Sequence, residues 1–338
     1  VSVLFYTLYS FIEPLFLYYL SPYYKTLLKY SESLLKNDAT IDTCLISASP
    51  FMQFKVGHDL KNKFKNLKVI ADYRDDWTTN DILFAPNGWI NRVLLVKHLG
   101  YYEKKWLKSF HSLLSVSEYY VDKLERFTGL KGLVIENGYI ASNYPTSPSD
   151  ERFEKLTITY SGTLYHTQPV EIFIEGLRKL INARDKVNVN VKFVGIKISP
   201  EQTAKVEKLI KGIESYFDLT ERLSKEESVN IFAKSHILLM IGHIGLKGIP
   251  GSKLYEYLAL RKTVLTCPTD NDIVEKTLIN SGQGLFVRTS DECHKVLNDL
   301  YTNYENNSLK NPEVNESYIK SFSREGLAKK LATYIKSI

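Results

Sequence analysis

The stretch LTITYSGTLYHTQPVEIFIEGLRKLINARDKVNVNVKFVG, residues 156–195, contains the structural unit on which the fold prediction rests. Its apolar residues alternate with other residues over 156–160, follow helical spacing over 170–182 and alternate again over 189–194. Strand, helix and strand in this order and with these lengths predict a βαβ unit. The two strands of such a unit are parallel, because the helix returns the chain to the same end of the sheet.

The same rhythm extends in both directions from this unit. From about residue 40, short and nearly continuous apolar runs alternate with longer amphipathic ones, as in parallel sheets covered on both faces. A cluster of proline, serine and asparagine over 142–150 interrupts the rhythm and has the composition of a linker. We therefore predict an α/β fold with two doubly wound, Rossmann-like halves joined near 140–155. The default site is the cleft between them, at the carboxyl ends of the strands.

The composition is that of an ordinary globular protein with room for two domains. Of 338 residues, 44% are hydrophobic and 24% are charged. The net charge of +6 is mild and dispersed, so it suits an anionic ligand or membrane surface without predicting either. Cys44, Cys267 and Cys293 share no metal-binding spacing, which favours buried free thiols in a reducing, cytoplasmic compartment. Aromatic residues are not interleaved with a basic stripe, so nucleic-acid binding is not expected.

The N-terminal segment 1–20 is strongly apolar and aromatic. Glu13 and Pro14 interrupt it, so the remaining apolar run is too short for a membrane span. It also lacks the basic region and cleavage site of a signal peptide. A buried or interfacial helix is the favoured interpretation, and peripheral contact with a membrane is the alternative. The chain opens on Val1 rather than methionine, as a fragment does.

The strongest candidate site is GIPGSKLYEYLA, residues 248–259, where a loop meets a predicted helix. Two glycines let the main chain approach a ligand, and Ser252 as N-cap would leave the next amides to bind an anion. Lys253 adds a positive charge, and Glu256 could accept hydrogen bonds from a ribose diol. A purely structural alternative stands beside this one. Acidic residues in a first helical turn stabilise the helix anyway, and lysines after a cap are usually solvated.

Two further features follow strand ends. The pair Gly162-Thr163 comes directly after the strand at 156–160, where phosphates often bind, although a plain tight turn also explains it. The stretch DYRDDW at 72–77 follows another strand, and its carboxylates could orient sugar hydroxyls or act as a base. An ion pair between Arg74 and a carboxylate, which would only fix the loop, explains this stretch equally well.

Other chemistries find little support in the sequence. Asp-x-Asp pairs, such as Asp270 with Asp272, are common by chance and have no third ligand here, so no metal site is predicted. The seven histidines show no zinc-binding spacing. Gly-x-Gly-x-x-Gly and Walker sequences are absent, which disfavours dehydrogenases and NTPases.

Taken together and in order, these segments resemble family-4 glycosyltransferases of the GT-B fold, above all the branch that makes bacterial surface polysaccharides. The matching segments are DYRDDW at 72–77, SVSE at 115–118, NG at 137–138, YSGTL at 160–164, FVG at 193–195, SKLYEYLA at 252–259 and GQGLFV at 282–287. They run from about residue 40 to the C-terminus, and the ordered set is far more specific than any single motif.

The resemblance implies a retaining transfer of a sugar from a UDP- or GDP-sugar, with no cofactor and no obligatory metal. It implies an acceptor-side domain over 1–148, a donor domain over 149–318, and a C-terminal helix over 319–338, with an interdomain cleft. The C-terminal helices would cross back to the first domain. The acceptor would be a glycan or a polyprenyl-linked sugar at the inner membrane face. The leaving phosphate would serve as the base.

The resemblance also assigns residues. Lys253 would hold the diphosphate, with help from amides near Gly162 and Thr163, and Glu256 would bind the ribose hydroxyls. The region 218–222 would border the base. The residues expected in the donor site are Gly162, Thr163, His166, Gly195, Arg222, Lys247, Gly251, Ser252, Lys253, Leu254 and Glu256. The residues nominated as catalytic, on the acceptor side, are Asp72, Arg74 and Asp75.

The sequence departs from the family pattern at several places. Gly248 occupies the position of the first of two paired glutamates, and the loop at 164–168 lacks the usual arginine and lysine. Arg261 stands where the family prefers glycine. No opening strand precedes residue 40, so the first part of the acceptor domain is missing or replaced by the aromatic segment 1–23. Two alternatives stay open: a UDP-sugar epimerase of the same architecture, and a non-catalytic, transferase-like partner protein.

Overall fold

The structure, a computed structural model, describes residues 22–80, 89–147 and 151–338. The segment 1–20, for which we expected a buried or interfacial helix, lies outside this range. Within it, every helix is too short or too polar to cross a lipid bilayer.

The chain folds into two compact units. The first comprises Val1–Glu136 together with Leu331–Ile338, and the second comprises Asn137–Lys330. Each unit contains one parallel sheet whose strands alternate with helices. The predicted α/β fold with two Rossmann-like sheets is therefore confirmed.

In the first unit, the described residues form a four-stranded sheet in the order β1-β2-β3-β4. Its strands are β1 (Thr43–Ala48), β2 (Lys68–Tyr73), β3 (Ser112–Ser115) and β4 (Gly132–Val134). Its helices are α1 (Pro22–Asn37), α2 (Gln53–Lys63), α3 (Trp89–Leu107) and α4 (Glu118–Thr128). Val69, Ala71 and Tyr73 of β2 join one buried cluster, while Ile70 joins another, so this strand is covered on both faces.

In the second unit, the described residues form a six-stranded sheet in the order β10-β9-β8-β5-β6-β7. Its strands are β5 (Leu156–Ser161), β6 (Val189–Val194), β7 (Phe217–Leu219), β8 (Ile237–Met240), β9 (Thr263–Thr266) and β10 (Gly284–Phe286). Its helices are α5 (Glu171–Asn182), α6 (Pro200–Leu209), α7 (Lys225–Lys234), α8 (Gly251–Leu260), α9 (Ile273–Ser281), α10 (Ser290–Glu305) and α11 (Glu316–Ser321).

The central strand β8 explains why the sequence pattern is continuously apolar. Ile237 and Leu239 pack into one core with α5 and α10. Leu238 and Met240 pack into the other core with α8 and α9. Because successive side chains of a strand face opposite sides, a sheet buried on both faces needs apolar residues at every position.

The last helix, α12 (Arg324–Ser337), carries the chain from the second unit into the first. Four apolar residues near the C-terminus pack against Ile70 and Leu114: Leu331, Tyr334, Ile335 and Ile338. Lys68 Nζ also donates a hydrogen bond to the main-chain carbonyl of Ile338. The predicted return of the C-terminal helices to the first domain is therefore confirmed.

The pair Asn137-Gly138, a combination typical of turns, forms no turn in the structure. This segment runs without a turn beside the end of α11, and Tyr139 N–H donates to Phe322 O at 3.1 Å. A Cβ added to Gly138 would lie 2.5 Å from Phe322 O. The glycine is therefore explained by a close approach of two main chains rather than by a turn.

Arg261 ends α8 in the left-handed conformation, with φ of +54°. Glycine adopts this conformation without cost, which gives a physical reason for the glycine found here in the family that the sequence resembles. An ion pair between Arg261 Nε and Glu316 Oε1, 2.5 Å long, holds the arginine in place.

Candidate functional site

Two glycine turns lie side by side at the carboxyl edge of the second sheet. Ser161 pairs with Val194 in the register of β5 and β6, so Gly162 and Gly195 each follow the last paired residue. Their φ angles are +91° and +82°, which favour glycine. A Cβ added to Gly195 would lie 3.9 Å from the Cα of Gly162. The edge is thus lined by bare main chain that a ligand can approach closely.

The amides of these glycines are already used within the unit. Gly162 N–H donates to Val194 O at 2.7 Å, and Gly195 N–H donates to Thr220 Oγ1 at 3.1 Å. The Gly162 amide, expected from the sequence to help hold a phosphate, therefore stabilises the loop instead. Gly162 instead leaves space for the Lys253 side chain, because an added Cβ would lie 3.2 Å from Cε of Lys253.

Lys253 lies above this glycine edge and rests on an aromatic ring. Its Nζ donates to Tyr160 Oη at 2.8 Å and lies 4.1 Å from the centre of the Tyr160 ring. The residue is half-buried, and burial lowers the pKa of Lys253 to about 7, although the nearby carboxylate Glu256 opposes this shift. Lys253 forms no ion pair with any described residue, since Glu256 is paired elsewhere. An anion could provide the missing counter-charge.

Tyr160 links this lysine to the loop after β5. It is 1% exposed, packs against the ring of Phe193 and donates its hydroxyl to Thr163 O at 2.9 Å. Burial raises the pKa of Tyr160, so the phenol stays neutral near pH 7. Sequence reasoning missed Tyr160. The available signal was a tyrosine in the β5 strand pattern two residues before Gly162, but a strand pattern alone does not say which helix packs over a given side chain.

Glu256 is held by a second cation that sequence reasoning also missed. Its Oε1 lies 2.8 Å from Lys225 Nζ, which also lies 5.2 Å from the ring of Tyr144. Lys225 is the first residue of α7. A ribose diol that bound Glu256 would therefore meet a carboxylate already positioned by a lysine.

The start of α8 differs from the prediction. The helix begins at Gly251, and its N-cap is Pro250, which makes no side-chain cap. Ser252 is exposed in the first turn and is not the N-cap. The N-cap thus lies two residues earlier than predicted, and Gly251 takes φ of +58°, which favours glycine. The amides of a first turn have no partner inside the helix, so this end can still attract an anion.

The remaining predicted donor residues occupy different surroundings. Leu254 is fully buried in the core, so only its main chain could meet a ligand. Lys247, on the loop before α8, and Arg222, on the loop after β7, are exposed. Thr163 is half-buried, and His166 is exposed on the loop after β5.

The loop after β5 is held in position by the side chain of His243, near Lys253. Thr167 Oγ1 lies 2.7 Å from His243 Nδ1, and the Tyr165 ring packs 5.7 Å from the His243 ring. Burial, followed by the charges of Lys253 and His166, lowers the pKa of His243 to about 4. The His243 imidazole is therefore neutral at pH 7.

In the first unit, the three residues nominated as catalytic are only partly brought together. Asp72, 6% exposed, accepts hydrogen bonds from Ser47 Oγ at 2.6 Å and from Arg74 Nε at 2.8 Å. Arg74 and Asp72 thus form the kind of pair that the structural alternative expects. Asp75 is exposed.

A buried glutamate anchors the loop that follows Arg74. Tyr73 Oη donates to Glu103 Oε1 at 2.7 Å, and Thr78 Oγ1 donates to Glu103 Oε2. Burial raises the pKa of Glu103 to about 7, although both hydrogen bonds oppose that shift. Glu103 therefore positions this loop from α3.

The carboxylates considered for a metal serve the main chain. Asp270 accepts hydrogen bonds from the amides of Asp272, Val274 and Glu275, and Asp272 accepts one from Gly248 N–H at 2.6 Å. Over the described part of the chain, no group of three or more His, Cys, Asp or Glu side chains could hold a metal ion.

Comparison with known proteins identifies the fold. No family model and no curated protein matches the chain. A glycosyltransferase from Rickettsia africae matches with a TM-score of 0.66 and 17% identity, over 94% of this chain and 82% of that one. HepE from Anabaena, in complex with UDP, matches with a TM-score of 0.65 and 14% identity, over 87% and 79%.

A third similar structure is named as a UDP-N-acetylglucosamine 2-epimerase, from Listeria monocytogenes. It matches with a TM-score of 0.52 and 15% identity, over 93% of this chain and 78% of that one. At such identities these likenesses establish a shared fold, that of the GT-B glycosyltransferases.

Proposed function

We propose that this chain is a glycosyltransferase whose donor is a nucleoside diphosphate sugar, bound in the second unit with its diphosphate on Lys253. The observation that carries the proposal is a lysine without an ion pair among the described residues, above two glycine turns at the carboxyl ends of parallel strands. This edge is where doubly wound sheets bind nucleotides. The N-terminus of α8, which has no side-chain cap, adds partial positive charge at the same place.

Other predicted residues receive roles in this proposal. Glu256 accepts the ribose hydroxyls, with Lys225 holding its carboxylate in position. The loop after β7, which carries Arg222, borders the base. Support comes from HepE, which shares the fold and whose structure was determined in complex with UDP.

The finer features of the reaction are also proposals. The transfer is retaining, the leaving phosphate takes the proton of the acceptor hydroxyl, and Lys253 rather than a metal ion stabilises the departing diphosphate. Asp72, Arg74 and Asp75 serve the acceptor side. The acceptor is a glycan or polyprenyl-linked sugar of surface-polysaccharide synthesis, met in the cytoplasm or at the inner membrane face.

A thermal-shift panel tests the donor site. UDP, GDP and ADP are compared with UMP, and UDP or GDP is expected to raise the melting temperature most. The monophosphate should give a much smaller shift, because it lacks the second phosphate that Lys253 is proposed to bind. A ligand present at 100 times its dissociation constant stabilises a protein by about 2.7 kcal/mol.

Two variants make the panel specific. Lys253→Met should abolish the diphosphate shift, whereas Lys208→Met, at an exposed lysine of the same unit, should leave it intact. A full shift in the Lys253→Met protein would show that the diphosphate binds elsewhere.

The epimerase is the second candidate, because a structure named as one shares the fold. The two functions differ in their need for an acceptor. NMR of a UDP-sugar incubated with this protein alone should show no change at the sugar carbons. Conversion to an epimer without acceptor would establish the epimerase instead. Absence of donor binding with co-purification of a second transferase would favour a non-catalytic partner.

A further inference from the structure

Among the residues that the structure describes, no carboxylate forms an ion pair with the amine of Lys253, although Glu256 lies near enough to raise its pKa. On its own helix, Glu256 pairs with Lys225 at 2.8 Å. From β5, the Tyr160 ring and hydroxyl contact the amine. From the loops after β8 and β5, the nearby groups are the imidazoles of His243 and His166.

We propose that the free protein, at mildly alkaline pH, holds Lys253 largely as a neutral amine in contact with Tyr160. When a nucleoside diphosphate binds, its phosphate oxygens replace Tyr160 as the partner of the Lys253 amine. Lys253 then takes up one proton from solvent. Tyr160 is thus a positioning residue, which acts on the diphosphate through Lys253. This inference rests on the proposed donor site and adds a proton to its binding equilibrium.

The geometry explains why the proton moves. A half-buried ammonium is stabilised most by a carboxylate in direct contact. The printed contacts of the Lys253 amine are a hydroxyl and a ring face, and the carboxylate of Glu256 pairs with Lys225 instead. A diphosphate brings full negative charges to the amine, and charge-assisted hydrogen bonds to phosphate are about twice as strong as neutral ones. The bound state therefore favours the ammonium, and the pKa of about 7 in the free protein rises on binding.

The affinity for UDP should fall as the pH rises above 7. At pH 6.5 most Lys253 amines already carry the proton, so binding takes up little. Above pH 7 each unit of pH leaves about tenfold fewer protonated amines, so the affinity for UDP falls by about tenfold per unit. UDP does not produce this fall, because its last phosphate proton leaves near pH 6. His243 does not produce it either, because its pKa of about 4 keeps it neutral throughout.

Isothermal titration calorimetry of UDP into the full chain tests the inference. Titrations between pH 6.5 and 9 in buffers of different ionisation enthalpy give both the dissociation constant and the number of protons exchanged. At pH 8 we expect uptake of about 0.9 proton per UDP for an amine with a pKa near 7. The dissociation constant should rise by about tenfold per pH unit above pH 7.5.

Three variants assign the proton. Lys253→Arg keeps its charge throughout this range and should bind UDP with a flat pH profile. His166→Gln removes the neighbouring imidazole. Whatever its affinity for UDP, that affinity should fall over the same pH range as in wild type, so that His166 is not the source of the proton effect. Tyr160→Phe should move the fall in affinity to lower pH, because the ammonium loses its oxygen partner. Tyr318→Phe, outside the candidate site, is the matched control.

The outcomes separate this inference from the donor site itself. If UDP binds, and binding needs Lys253, yet wild-type affinity is flat with pH and no proton is taken up, the inference is overturned while the donor site stands. An unchanged profile in Tyr160→Phe would overturn the role of Tyr160. If Lys253→Met binds UDP like wild type, the proposed donor site is wrong as well. Wild-type titrations suffice should Lys253→Arg fail to fold.

Discussion

At the scale of single residues, Lys253 should reduce the stability of the ligand-free protein. Its pKa falls from 10.5 to about 7 on folding, so the unfolded chain binds more protons between these values. The cost of Lys253 is therefore fully present below pH 7 and disappears as the pH rises towards 10.5. Lys253→Met should raise the melting temperature at pH 6 and have little effect at pH 10.

Differential scanning fluorimetry without ligand at these two pH values measures the effect. Lys208→Met replaces a lysine that is exposed in the structure, so its small effect should not depend on pH. An equal gain at pH 6 and pH 10 in Lys253→Met would mean that the amine titrates normally in the folded protein.

The sequence predicts Lys253 but not the contacts that give it an unusual environment. A helix start after paired glycines indicates an anion site from chemistry that is local in the chain. Tyr160, Lys225 and His243 lie on other elements, and they meet the site only after the sheet order is fixed. Until the order of the strands is known, their positions in the sequence do not show that they lie near residues 251–256.

At the scale of elements, the capped start of α7 matters to the site because its first residue, Lys225, pairs with Glu256. Ser224 Oγ accepts from Glu227 N–H at 3.2 Å, and Ser224 N–H donates to Glu227 Oε2 at 2.9 Å. Both hydrogen bonds of a capping box are therefore present. Ser224→Ala should lower the free energy of unfolding by about 0.5–2 kcal/mol.

Urea denaturation measures this loss. Ser228→Ala, inside the same helix, removes no cap and improves helix propensity, so stability should stay the same or rise slightly. Equal effects of the two substitutions would show that the cap contributes nothing.

The elements that the sequence misses are short or exposed. The strands β5 and β6 bury apolar side chains on one or both faces, and their patterns locate them to within one residue. β7 has only three residues, at the edge of the sheet and without a fully buried side chain, so no clear apolar pattern identifies it. The sequence predicts an N-cap of α8 two residues too late, because serine is a common N-cap and the positive φ at Gly251 cannot be read from the sequence.

At the scale of the whole molecule, the close approach of residues 138 and 322 joins distant parts of the chain. Gly138→Ala would place a Cβ 2.5 Å from a main-chain oxygen, which a side-chain rotation cannot relieve. Such overpacking costs about 1–3 kcal/mol. Gly100→Ala, where the added Cβ would make an ordinary 3.4 Å contact with Phe127, should be neutral or stabilising.

Thermal unfolding of both variants measures the difference. If Gly138→Ala were as stable as Gly100→Ala, the close approach at Phe322 would be wrong.

The α/β fold itself was predictable, because doubly buried strands impose continuous apolar runs. The acceptor was not, because its recognition depends on side chains that the sequence pattern does not bring together.

The central claim is that Lys253 binds the diphosphate of a nucleotide sugar, and a crystal structure with UDP tests it most directly. We expect the terminal phosphate above Gly162 and Gly195, with one of its oxygens about 2.7–2.9 Å from Lys253 Nζ. Tyr160 Oη would no longer be the nearest oxygen to that amine. UDP bound away from this edge, or bound there while Lys253 still donates to Tyr160, would contradict the proposed role of Lys253.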